Sequence, residues 1–258
     1  GVRSAMPLYR ALERCPGLRV VPPRFDAYRE VSAQIRAVFR TYTTLVEPLS
    51  LDEAYLDVTA PLVGGPSATR IAQAIRAQIR ERTGLSATAG VSVNKFLAKL
   101  ASGMNKPDGL TVLLPEQIDE LLAGLPVAEF HGIGPATAAK LAGLGIHTGA
   151  DLRATSPEVL RERFGVVGTH FWRIAHGLDD RPVEPDRPYR SIGAEETYAD
   201  DLHGMPAVLA RLPGLAGGVE RRLAGAGQCA RTVILKLKFD DRSVICLLYT
   251  SDAADERS

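Results

Sequence analysis

The sequence predicts an α+β chain: a helix-strand-helix-strand layer, then a small all-helical unit, then a third α/β unit beyond a proline-rich tether. Three observations predict it. Apolar residues recur at three- and four-residue steps in two early segments, strict alternation marks short runs between and after them, and Gly and Pro punctuate the rest. A chain of 258 residues that is 45% hydrophobic can bury a sizeable core, enough for about two domains.

The first helix is expected behind Asp26 as N-cap, with Tyr28, Val31, Ile35, Val38, Phe39 and Tyr42 on one side. A strand through residues 50–57 follows. A second helix over 67–82 carries Ile71, Ile75 and Ile79 on one stripe, and Leu85, Ala87, Ala89 and Val91 then alternate as a strand. That order describes a split βαβ layer with helices on one face of a small sheet, and one further strand is expected in front.

From Pro115 the pattern changes to short helices. Ile118, Leu121, Leu122 and Leu125 form a stripe, Thr148 and Asp151 have capping-box spacing, and Ser156-Pro157 pairs an N-cap with a first-turn proline. Pro182, Pro185 and Pro188, set among charged residues, predict an extended and fairly stiff tether. After it a strand is expected at 191–198, helical material at 206–223 broken by Pro213 and Gly214, and a strand at 231–239. In that last strand Val233, Leu235, Leu237 and Phe239 share one face while Lys236 and Lys238 share the other.

No apolar run approaches the ~20 residues of a membrane span, and residues 1–10 lack the layout of a secretory signal. A cytoplasmic location and no membrane partner are expected. Cys15, Cys229 and Cys246 are odd in number and lack metal-site spacing, which argues against a disulfide framework or a zinc site. A net charge of +1 neither advertises nor excludes nucleic acid, because a basic face can sit opposite an acidic site.

The chemistry concentrates in three stretches. Ser50-Leu51-Asp52-Glu53-Ala54-Tyr55-Leu56-Asp57 puts two carboxylates side by side in a strand-like run. Alternation sends Asp52 to the small, apolar side and Glu53 to the other. A hard divalent cation such as Mg2+, shared between carboxylates and substrate phosphates, is the natural partner of such an acid; a solvated strand end is the bland alternative. Next, the helix containing Lys95 and Lys99 is expected to bury Phe96, Leu97, Leu100 and Ala101, to expose both lysines, and to end at Gly103. The turn Asn105-Lys106-Pro107-Asp108-Gly109 would then hold Lys106 in a defined place, where it could meet a triphosphate.

The third stretch runs from Phe130-His131-Gly132-Ile133-Gly134-Pro135 to Lys140 and on to Gly143-Leu144-Gly145. It predicts helix, tight hairpin, helix. Glycines flanking one apolar residue let backbone amides at a helix start approach a phosphate, which grips a DNA strand without reading its sequence. His131 and His147 have no carboxylate or cysteine at metal-ligand spacing.

Together these stretches resemble the Y-family translesion DNA polymerases, most closely the bacterial DNA polymerase IV group. The likeness runs from Gly1-Val2-Arg3-Ser4-Ala5-Met6-Pro7 through Pro22, Arg24, Phe25, Asp26 and Tyr28, the acidic motif, residues 94–109 and the hairpin, to Lys236-Leu237-Lys238-Phe239. It implies a ferredoxin-like palm, an incomplete one, at 26–114 after a remnant of the fingers at 1–25. A helical thumb with a helix-hairpin-helix motif would follow at 115–178, a linker at 179–189 and a partial little finger at 190–245.

The resemblance also implies template-directed nucleotidyl transfer with two Mg2+ ions, on primer-template DNA and deoxynucleoside triphosphates, by a monomer. Asp52 matches a metal ligand, Glu53 the catalytic acid beside it, and Lys106 the lysine that approaches the triphosphate. Gly132, Ile133, Gly134, Lys140, Lys236 and Lys238 match DNA contacts. For both acids to reach the metals, the strand should be distorted after Pro48. The resemblance further implies that Gly1 is interior to a longer protein. The other metal-binding aspartate, the residue that screens out ribonucleotides and a tyrosine-arginine phosphate clamp would lie before it, and a sliding-clamp tail beyond the other end, so the chain by itself is expected to be nearly inactive. Cys246 to Glu256 instead resembles a translated sequencing adapter, so 246–258 is expected to be a non-native tail. Two competing readings are a helix-hairpin-helix DNA-binding module without chemistry and a nucleotide cyclase-like enzyme; the hairpin motif argues against the latter.

Overall fold

In the computed structural model the described residues are 1–198, 200–241 and 243–250. The chain forms two compact units, residues 1–187 and the part from Pro188 onward.

In the first unit, α1 (Leu8–Arg14) precedes α2 (Phe25–Tyr42). Asp26 lies in the first turn of α2 and not at its cap: the N-cap is Arg24, which makes no side-chain capping bond. An acid there still favours the positive end of the helix, so the signal was sound and misplaced by two residues. The hairpin β1 (Val46–Pro48) and β2 (Ala54–Leu56) pairs Val46 with Leu56 and Pro48 with Ala54. α3 (Ala68–Thr83) starts as expected on Ser67, whose side chain accepts from the Arg70 amide, and ends on left-handed Gly84.

β3 (Ala89–Val91) and β4 (Leu110–Val112) run parallel on either side of α4 (Lys95–Met104). The layer is therefore two short ladders instead of one continuous sheet among the described residues. The expected helical cover is present. Val38, Tyr42, Ile71, Ile75 and Ile79 are buried between α2 and α3, with Leu56, Val58 and Ala87 packed beneath. Gly90 permits the close seat of β3 on α4, since a Cβ there would lie 2.1 Å from the Ala98 carbonyl oxygen.

The helical part comprises α5 (Pro115–Gly124), a 3₁₀ turn (Val127–Glu129), α6 (Pro135–Ala142), α7 (Gly149–Ala154), α8 (Pro157–Phe164) and α9 (Val166–Ala175). The capping box of Thr148 with Asp151 and the Ser156 cap both form. One core joins these helices to α4: Phe96 and Leu97 are buried with Ile118, Leu122, Phe130, Leu141, Leu152, Leu160 and Phe171. The Phe96 and Phe130 rings stack at 5.8 Å.

The second unit contains α10 (Gly204–Leu209), α11 (Leu212–Ala226) and the antiparallel hairpin β5 (Thr232–Lys238) with β6 (Val244–Thr250). Residues 191–198 form no strand. Pro213 opens α11 instead of breaking a helix, because a proline in the first turn lacks only an amide that had no acceptor there. Residues 246–250 of the expected tail pair with β5, Cys246 facing Lys236 in register; 251–258 lie outside the described residues. No helix among the described residues is long and apolar enough to cross a membrane.

Candidate active site

The acidic pair lies in the turn between β1 and β2, not in a regular strand. The ladder stops at Pro48 and Ala54, and the amides of Leu49 and Ser50 both donate to the Glu53 carbonyl at 2.9 and 3.3 Å. Ser50 ties the turn together: its Oγ accepts from the amides of Asp52 and Glu53 and donates to Asp52 Oδ1 at 2.6 Å. Such local bonding competes with a ladder, which is why the alternation did not hold. Asp52 is accordingly exposed, not on an apolar face, and Glu53 is half-buried. From the other side α2 braces the turn, with Ser32 Oγ donating to the Leu51 carbonyl at 2.5 Å and Arg36 to the Ser50 carbonyl at 3.0 Å. Asp57, the last acid of the motif, is structural: it accepts from the Thr59 amide and hydroxyl, which hold its carboxyl below the usual range.

Lys95 and Lys99 are not the exposed pair that helical spacing suggested. Lys99 Nζ lies 2.6 Å from Glu53 Oε1, with its side chain only 20% exposed. Lys95 is buried, 2.5 Å from Glu47 Oε2, and also donates to the Pro182 carbonyl at 2.9 Å. Glu47 further accepts from the Glu184 amide at 2.9 Å, and burial, which would raise its carboxyl, is outweighed by Lys95, the Glu184 amide and Arg187, so that it titrates low.

Asp179 completes this clasp. Its carboxylate accepts from the Phe96 amide at 3.0 Å, in the first turn of α4, and from both ends of the Arg181 guanidinium. Burial pushes Asp179 up, but Arg181 and the amides hold it below the usual carboxylate range. Asn94, which caps α4, donates to the Gly177 carbonyl at 2.8 Å. The first part of the expected tether, residues 179–187, is therefore pinned to β1 and to the start of α4. Sequence reasoning missed Glu47, Lys95, Asp179 and Arg181: the contacts that join the clasp, Lys95 to Glu47, Phe96 to Asp179 and Glu184 to Glu47, span 48 to 137 positions, and Arg181 binds its near neighbour Asp179.

Lys106 is exposed in a turn that is held as expected, although α4 runs one residue past Gly103 and ends at Met104 with Asn105 as C-cap. Asn105 Nδ2 donates to Thr111 Oγ1 at 2.9 Å. Arg76 donates to the Ala87 carbonyl at 2.8 Å and to Asp108, at both its carbonyl and its carboxylate; Arg80 pairs with the same carboxylate. These arginines, Arg80 first, draw the Asp108 carboxyl down.

In the hairpin loop Gly132 has φ +101°, a conformation that an L side chain strains to reach, and a Cβ added to Gly132 or Gly134 would meet nothing within 4 Å. The loop backbone is open to an approaching ligand at both glycines. Gly134 caps α6, whose first amides have no acceptor within the helix. Ile133 departs from its expected role as a contact: its side chain is in the core and its amide donates to the Phe130 carbonyl at 2.9 Å, so it anchors the loop. Lys140 is exposed at the end of α6 and shares a shallow cleft of about 280 Å³ with Arg163 and Phe164. An open cleft of about 440 Å³ separates α4 from the loop, lined by Lys99, Met104, Glu129, His131 and Gly132. Burial first, then the charges of Lys99 and Arg181, keep His131 below the usual imidazole range. In the second unit Lys236 and Lys238 project from β5 as exposed residues alternating with half-buried Leu235 and Leu237.

Among the described residues no three His, Cys, Asp or Glu side chains come together as a metal site. The donor set fits a hard cation shared with a substrate's phosphates, which needs only one or two protein carboxylates.

The chain is similar in sequence and fold to known proteins. The impB/mucB/samB family matches residues 1–103, its C-terminal domain residues 189–255, and the HHH motif of the same family residues 115–146. DNA polymerase IV 3 of Mesorhizobium japonicum is 54% identical across 93% of this chain and 67% of its own length. DNA polymerase IV of Alkalilimnicola ehrlichii is 51% identical across 93% and 68%. Of solved structures, a Y-family DNA polymerase chimera superposes with a TM-score of 0.86 at 25% identity, over 97% of this chain and 72% of that one. An insertion ternary complex of Dbh DNA polymerase gives 0.70 at 26% identity, over 97% and 72%.

Proposed function

The chain belongs to the impB/mucB/samB family, and we propose that it carries out template-directed DNA synthesis of the translesion type, adding deoxynucleotides to a primer 3′ end. One observation carries the catalytic reading: the turn bearing Asp52 and Glu53 is braced by Ser32 and Arg36 on one side and already holds a cation, the Lys99 ammonium, on the other. Bracing fixes where carboxylates stand before substrate arrives, which lowers the reorganisation needed at reaction.

Asp52 and Glu53 would hold Mg2+, two ions in the complete site, with Glu53 nearest the primer terminus. The ions supply activation of the 3′-hydroxyl and neutralisation of the departing pyrophosphate. Lys106, on its fixed turn, meets the triphosphate as a point charge. Gly132 and Gly134 offer backbone to a DNA phosphate with Ile133 as their anchor, and Lys140 adds charge from the last turn of α6. Lys236 and Lys238 meet the backbone of the DNA from the second unit. In this reading residues 1–25 belong to the fingers, 26–114 to the palm, 115–178 to the thumb, 179–189 to the linker and 190–245 to the little finger. The protein acts as a cytoplasmic monomer, with a sliding clamp as a further partner.

Primer extension by the whole gene product tests the assignment, with DNA binding measured on the 258-residue chain. Asp52→Ala and Glu53→Ala should each abolish extension and leave binding largely intact. Retained turnover in either variant would refute it.

A further inference from the structure

Lys99 stands between the Glu53 carboxylate and an open cleft. Its Nζ is 2.6 Å from Glu53 Oε1, and the same side chain lines the open cleft against the hairpin loop, facing His131 and Gly132. Glu53 keeps 41% of its side chain exposed while Lys99 keeps 20%. The acid is therefore reachable from solvent while the lysine that neutralises it is held close. A lysine carries its charge on a flexible four-carbon stem with three rotatable donors, so it can change partner without moving its helix. Two groups named in the proposed function compete for that arrangement: a divalent cation competes with the ammonium for the Glu53 oxygens, and a DNA phosphate in the cleft competes with Glu53 for the ammonium.

We propose that Lys99 is a positioning residue that exchanges between Glu53 and a phosphate of the primer-template duplex, coupling cation loading at the acidic turn to the grip on DNA. This rests on the polymerase reading. Without a divalent cation Lys99 neutralises Glu53 and contributes little to DNA binding. When a cation takes Glu53, Lys99 is released to the cleft and DNA binds more tightly. By reciprocity DNA, in drawing Lys99 away, frees Glu53 for the cation by the same factor.

The test is equilibrium binding of a labelled primer-template duplex to the 258-residue chain, by fluorescence anisotropy over a KCl series at matched ionic strength, with and without MgCl2. The unaltered chain should bind roughly 5-fold tighter with Mg2+. Glu53→Gln should bind without Mg2+ as tightly as the unaltered chain does with it, and should gain nothing further from Mg2+. Lys99→Gln should remove the Mg2+ effect and lower the salt slope in Mg2+ by about 0.9, the value of one phosphate contact. Lys99→Arg should restore the slope, which a purely structural role for the residue would not require.

An unchanged slope in Lys99→Gln, or no gain in Glu53→Gln, overturns the exchange. If Lys99→Gln does not give the melting transition of the unaltered chain, the Glu53→Gln comparison decides alone. Failure of the unaltered chain to bind DNA at any salt concentration overturns the polymerase reading itself, an outcome distinct from loss of the Mg2+ effect alone.

Discussion

Lys95 Nζ lies 2.5 Å from Glu47 Oε2, and both side chains are buried. Removing one member of a buried pair leaves the other uncompensated, at about 3 to 5 kcal/mol. Lys95→Met should therefore destabilise the first unit by about that amount in urea unfolding. Glu47→Leu combined with Lys95→Met should cost less than the sum of the two single changes, because neither buried charge of the pair remains.

The same clasp sets an acid limit. Glu47 and Asp179 titrate below the usual carboxylate range in the folded chain, so in acid the unfolded chain binds more protons than the folded one. Their stabilisation is complete above about pH 5, beyond the unfolded values, and is lost as the pH falls through the folded values. Urea midpoints should fall steeply between neutral pH and pH 3, and Asp179→Asn should lower the midpoint at neutral pH while flattening that fall.

Arg76 fixes the turn that carries Lys106, through the carbonyls of Ala87 and Asp108 and the Asp108 carboxylate. Arg76→Ala should cost about 2 kcal/mol, because two carbonyls lose their partner. In primer extension by the whole gene product it should raise KM for the incoming nucleotide more than it lowers kcat. An unchanged KM would separate the turn from triphosphate binding.

Gly132, with φ +101° and open space beside it, can accept a Cβ without a clash but not without backbone strain. Gly132→Ala should lower stability by about 1 to 2 kcal/mol. DNA affinity should fall as well, since the loop must now leave the conformation that presents its amides. Gly103, also without close neighbours but inside α4, serves as the control for stability: Gly103→Ala should be neutral or stabilising in unfolding.

Ser32 reaches the acidic turn from α2 and donates to the Leu51 carbonyl. Ser32→Ala should cost about 1 kcal/mol of stability. The loss in kcat should exceed what that figure predicts for folding alone, because the acids lose a brace. Equal primer extension by the variant and the unaltered protein would show that Arg36 suffices.

The sequence by itself determined the elements whose signals are local. The α3 stripe of Ile71, Ile75 and Ile79, the Ser156 cap, the Thr148-Asp151 box and the Gly132-Ile133-Gly134 loop all rest on spacings of four residues or fewer, and they stand where spacing put them. The acidic pair was legible as a candidate site for the same reason, since its two carboxylates are neighbours in the sequence. Only the tertiary structure decided what those acids and lysines face. Lys95 and Lys99 look alike along a helix, yet one is buried against Glu47 and the other pairs with Glu53. Periodicity assigns a side chain to a face; it does not say which charge lies opposite, and at separations of 46 to 137 residues a pair leaves no local trace. The strand expected through Asp52 failed on the same ground: the Ser50 hydroxyl offered the backbone a nearer partner than any neighbouring strand.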